Sequence, residues 1–102
     1  MANYLLLYHG GSQPSTPEEG AKVMADWTNW FGSLGAATID AGDPTGPTRR
    51  ISASGVSDDP TGANGYSIIA ADSLDAAVEV AKGCPHLGNG GTVSVSEKLG
   101  LM

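Results

Sequence analysis

An α+β fold in the order β-α-β-β-α-β is what this sequence predicts, on three observations. Residues 3–9 and 65–71 are apolar or aromatic at consecutive positions, as strands packed on both faces are. Residues 17–34 and 74–82 carry apolar side chains at helical spacing behind capping residues. Residues 92–97 alternate, Val93 and Val95 against Thr92, Ser94 and Ser96, as a strand with one dry face does.

The first strand holds Tyr4, Leu5, Leu6, Leu7 and Tyr8. A polar loop leads to Thr16-Pro17-Glu18-Glu19, which matches a helix start. Thr16 is placed to cap, Pro17 takes the first helical position and Glu19 can close a capping box. The helix face is Ala21, Met24, Trp27, Phe31 and Leu34, with Val23 and Trp30 alongside, and Gly35 ends it as a C′ residue. Residues 36–41 form a short strand around Ile39. Asp43-Pro44 and Gly46-Pro47 mark a turn-rich stretch. Residues 48–54 read as an extended edge segment and 55–65 as a loop. Ser73 or Asp72 caps the second helix, whose face is Leu74, Ala77, Val78 and Ala81, with Lys82 favourably placed in the last turn and Gly83 as the stop.

This order, on one domain covering residues 1–102, is that of the ferredoxin-like plait. The plait puts its first and third strands in the centre of a four-stranded antiparallel sheet, and those are the two segments without a polar face. Both helices cover one side of such a sheet. The other side would expose about half of residues 4–8 and 68–71, more apolar surface than a monomer leaves open. A homodimer packed sheet against sheet through isologous contacts, a dimeric α/β barrel, is therefore expected.

The net charge of −6, with only Lys22, Arg49, Arg50, Lys82 and Lys98 as basic residues, leaves no basic patch to track a nucleic acid or an anionic membrane. A single cysteine, Cys84, makes no intrachain disulfide and offers no zinc pair; a buried structural thiol is the better reading. The N-terminus carries no secretory pattern and no apolar run approaches a membrane span, so a cytoplasmic protein is expected. The Gly88-Asn89-Gly90-Gly91 turn precedes a strand rather than a helix and lacks the lysine of phosphate loops. The histidines and aspartates have no metal-ligand spacing, and no cofactor is expected.

Two histidines are the candidate catalytic groups, because imidazole titrates near neutrality. His86 follows a proline just after the second helix, and His9 ends the first strand. Asp40 and Asp43 flank the end of the second strand and could orient an imidazole. The plain alternative is that these are polar residues at element ends. Arg49, with Arg50, could clamp a small carboxylate or phosphate, or simply be a solvated edge. Tyr8, Trp27 and Tyr66 could line an aromatic ligand pocket, although at this spacing they equally suit a core.

The segment Gly65-Tyr66-Ser67-Ile68-Ile69-Ala70-Ala71-Asp72-Ser73-Leu74-Asp75-Ala76-Ala77 resembles the core signature of the YCII-related family. Cys84-Pro85-His86-Leu87, Gly90-Gly91-Thr92-Val93, the opening Tyr4-Leu5-Leu6-Leu7-Tyr8 and the Trp27…Trp30-Phe31 helix extend the resemblance over nearly the whole chain. It implies a ferredoxin-like protomer, a dimeric barrel, a pocket between sheet and helices or near the dimer seam, and in some members a His–Asp pair. This chain has Asp58-Asp59-Pro60 where an Asp-Gly-Pro-Phe motif would stand, and Trp27 and Thr28 where dyad-bearing members carry a histidine. Two functions are thus expected: acid/base chemistry on a small organic molecule, or non-catalytic binding or sensing of a small molecule by a dimer.

Overall fold

The computed structural model describes residues 1–101, in which one antiparallel sheet carries three helices. The elements are β1 (Ala2–Gly10), α1 (Pro17–Leu34), a 3-10 turn (Gly35–Ala37), β2 (Thr38–Asp40), β3 (Thr48–Ser52), β4 (Gly55–Asp59), β5 (Gly65–Ala71), α2 (Leu74–Ala81), α3 (Pro85–Gly88) and β6 (Gly91–Glu97). The main sheet runs β2-β5-β1-β6. The two segments without a polar face, β1 and β5, hold its two central positions.

One face of the sheet is sealed. Tyr4, Leu6 and Tyr8 of β1 stand opposite Ile69, Ser67 and Gly65 of β5, and all of them are buried. Leu6 and Ile69 are fully buried at the centre, each side chain contributing about 1.5–3 kcal/mol of apolar transfer. Val93 and Val95 of β6 pair with Tyr8 and Leu6 and close the same layer, the dry face that their alternation predicts.

Within one chain the opposite face is open, as the plait with both helices on one side implies. Leu5 and Leu7 pair with Ile68 and Tyr66 and are only half-buried, and Ile39 of β2 is exposed. The shortest principal extent is 19 Å, the thickness of one sheet and one helix layer.

Thr16 caps α1 as its spacing predicts, its hydroxyl accepting from the Glu19 amide at 3.1 Å. The glutamate closes the motif one residue early: Glu19 Oε2 accepts from the Ser15 amide at 2.8 Å and the Ser15 hydroxyl at 2.9 Å. At the far end Gly35 adopts φ +56° and donates its amide to the Phe31 carbonyl, a left-handed stop that favours glycine. No residue of α1 is fully buried; Trp27, Trp30 and Leu34 pack on the core while Met24 is 68% exposed.

Three further expectations change. The second helix buries Ala77 and Ala81, with Ala76 and Val80 beside them, rather than Leu74 and Val78. Small side chains let this short helix lie close on the sheet. Residues 36–41 shorten to a three-residue strand, because the chain leaves Gly35 in a 3-10 turn. Residues 55–65 are not all loop. Gly55–Asp59 is a strand that pairs with β3, Ile51 opposite Val56, so β3 is not on the sheet edge but in a separate two-stranded ribbon. This ribbon joins no larger sheet, and the radius of gyration is 14.8 Å, against about 13 Å for a compact chain of this length.

Candidate functional site

Where α1 crosses the ends of β1 and β5, helix and sheet do not close on each other. The Trp27 ring stands between them, edge-on to Tyr8 at 5.0 Å between centroids. Trp27 also stacks on Phe31 at 5.7 Å. Beneath the helix lies a cavity of about 490 Å³, within the size range of small-molecule sites. Tyr8, Trp27, Phe31, Val23 and Met24 give it apolar walls, and Asp43, Asn64, His86 and Asn89 lie at its polar margin.

The floor is a fixed polar relay. Tyr8 donates its hydroxyl to Ser67 Oγ at 2.8 Å, and Ser67 donates to the Ala41 carbonyl at 2.7 Å. Ser67 is fully buried, so both bonds form away from water. Burial pushes the Tyr8 phenol up to about 12, partly opposed by the Ser67 bond. Tyr8 is therefore a neutral donor at neutral pH.

His86 stands in α3 beside the cavity. Its Nε2 donates to the His9 carbonyl at 2.8 Å, and its ring leans on Tyr8 at 5.6 Å between centroids. The acceptor is a carbonyl, so Nε2 carries a proton, and in the neutral ring the lone pair is on Nδ1. Two glycines hold the ring. A Cβ on Gly91 would overlap the imidazole, and one on Gly11 would lie 2.9 Å from its Cε1.

His9 lies on the other side of the strand. Its Nδ1 donates to the Thr61 carbonyl at 3.2 Å, and Ser94 Oγ is 3.4 Å from its Nε2. It meets His86 only through its own backbone carbonyl. No aspartate is a hydrogen-bond partner of either histidine among the described residues. Asp40 instead accepts from the Gly42 amide at 2.8 Å, closing a turn. Asp43 borders the cavity, and its backbone carbonyl accepts from Tyr66. The structure thus places His86 and Asp43 at one cavity but forms no His–Asp pair.

Tyr8 and Trp27 meet in the cavity wall, and Tyr66 touches its edge beside Gly42. Arg49 and Arg50 do not line it. Both sit on the ribbon, Arg49 with Asp58 at 3.3 Å and Arg50 with Asp59 at 2.7 Å. Cys84 is buried, and burial raises its thiol above the usual range, away from thiolate reactivity. Among the described residues no group of three His, Cys, Asp or Glu side chains is arranged around a metal position, and no helix is long and apolar enough to cross a membrane.

Sequence reasoning missed Ser67, Asn64 and the two glycines around His86. A signal existed for Ser67, the single serine in the otherwise apolar and aromatic run Tyr66–Ala71. Asn64, just before β5, ties that strand's start to the end of β1, its amide donating to the Tyr8 carbonyl at 2.7 Å and its side chain to the Gly10 carbonyl at 2.7 Å. Searches of protein-family models, of curated proteins and of solved structures found no match to this chain.

Proposed function

We propose that this chain binds a small, largely apolar organic molecule in the cavity under α1, as a homodimer of ferredoxin-like protomers of the YCII-related kind. The observation that carries the reading is the cavity itself: about 490 Å³, walled by Tyr8, Trp27 and Phe31, with a few polar side chains such as Ser67, Asp43, Asn64 and His86 in its lining. Such a lining suits a ligand held by ring contacts and oriented by a few hydrogen bonds. The strand order β2-β5-β1-β6 supports the plait, and the uncovered apolar face of Leu5, Leu7, Ile68 and Ile39 supports pairing of sheets. A cytoplasmic location agrees with the single cysteine.

The test uses benzyl alcohol as a neutral aromatic probe, followed by amide chemical shifts. Shifts are expected at cavity residues, and Val23→Trp, which fills the cavity from the helix side, abolishes them while the circular dichroism is unchanged. Equal shifts in the filled variant, or shifts confined to the ribbon, defeat the reading.

A second reading, acid/base chemistry, is favoured by one observation. The fixed Nε2–H of His86 leaves Nδ1 as its lone-pair nitrogen when the ring is neutral. Without a carboxylate orienter among its partners, this histidine is a better hydrogen-bonding group for a ligand than half of a dyad.

A further inference from the structure

The charges of this chain are distributed unevenly with respect to its cavity. Four of the five basic side chains have a carboxylate partner elsewhere: Lys22 with Asp26, Arg49 with Asp58, Arg50 with Asp59 and Lys82 with Glu79. No lysine or arginine lines the cavity. Asp43 is the one carboxylate that does, and its side chain makes no hydrogen bond or ion pair among the described residues. The chain as a whole carries −6. An anionic ligand would thus meet the Asp43 carboxylate and find no lysine or arginine to neutralise it.

The walls point the same way. Tyr8, Trp27 and Phe31 border one space, with Trp27 edge-on to Tyr8 and stacked on Phe31. Aromatic faces carry negative potential and attract a cation within about 6 Å, tryptophan most strongly. An ammonium group among these rings loses water but gains the ring quadrupoles, and the Asp43 carboxylate lies on the same rim.

Resting on the reading of this cavity as a ligand site, we propose that its ligand is a small organic cation: a primary or substituted ammonium on an apolar or aromatic body. Asp43 selects the charge and the three rings select the body. Asp43 is exposed, so its pull is reduced by solvent and salt, while the rings act in a drier place and are screened less.

Three probes of nearly one shape separate the possibilities: benzylamine, benzyl alcohol and benzoate, titrated into the 102-residue chain at low salt and neutral pH with amide shifts as readout. Benzylamine is expected to bind roughly tenfold more tightly than benzyl alcohol, and benzoate more weakly than either. Asp43→Asn should bring the ratio of amine to alcohol affinity down several-fold. Asp75→Asn, which removes the same charge from the first turn of α2, should leave that ratio as it was. Equal binding of amine and alcohol, or tighter binding of benzoate, overturns the cation proposal while the ligand-site reading stands. If none of the three probes shifts the cavity amides, the ligand-site reading fails and the proposal with it.

Discussion

Gly91 lacks a side chain where the His86 ring fills the space that a Cβ would take. Gly91→Ala must therefore displace the imidazole, at a cost of about 1–3 kcal/mol in the manner of other overpacking changes. Removing the ring as well, in Gly91→Ala with His86→Ala, should restore part of that loss. A double-mutant cycle by chemical denaturation measures the coupling, and additive effects would mean that glycine and imidazole do not constrain each other. Tyr8 makes a second prediction at this scale. Its folded pKa of about 12 lies above the ordinary phenol value of 10, so the folded state holds the proton more tightly than the unfolded chain. The stability this contributes is complete below pH 10 and is lost as pH rises from 10 through 12. Denaturant midpoints across that window should fall, and should fall less in Tyr8→Phe.

α1 is the element most dependent on its ends, because none of its residues is fully buried. Its N-terminus is fixed by Thr16 and by Glu19, whose carboxyl the Ser15 amide and hydroxyl hold below its ordinary range. Thr16→Ala should cost about 1 kcal/mol, read from denaturant unfolding followed by circular dichroism. An unchanged midpoint would show that packing of Trp27 and Trp30 alone sets the start of the helix. The ribbon of β3 and β4 is the opposite case, since Ile51 is 78% and Val56 62% exposed on a pair that joins no larger sheet. Two strands alone are marginal in water, so the Arg49–Asp58 and Arg50–Asp59 pairs and the turn that Asp59 closes with Thr61 hold its base.

The whole molecule is a slab with one sealed and one open face, 19 Å at its thinnest. The proposed dimer follows from that asymmetry rather than from any single residue. Leu7 lies near the middle of the open face, between Tyr66 and Ser94. Leu7→Glu should convert a dimer into a monomer at low micromolar concentration in sedimentation velocity, since each copy would bury a carboxylate in the apolar seam. A wild-type chain that sediments as a monomer at that concentration refutes the paired-sheet arrangement. The cavity lies on the other side of the sheet, so the Leu7→Glu chain tests separately whether binding needs the pair.

Local pattern made the caps and strand positions legible. Thr16, Pro17 and Glu19 mark the helix start through contacts within four residues, and the unbroken runs around Leu6 and Ile69 mark the two central strands. Those features depend on neighbours in the chain and on which faces must be dry, both written in the order of residues. The ribbon was not legible, because Val56–Asp59 is polar enough to read as loop until it pairs with Thr48–Ile51. The site was legible only in part. The sequence by itself determined which aromatic residues and histidines exist and on which elements they stand. Tertiary structure decided that His9 and His86 lie on opposite sides of one strand, that Asp40 closes a turn, and that Tyr8, Trp27 and Asp43 border one cavity. The physical reason is distance along the chain: the bonds from Tyr8 to Ser67 and from His86 to His9 span 59 and 77 residues. No short-range periodicity encodes such pairs; only the strand register and the stand-off of α1 bring them together.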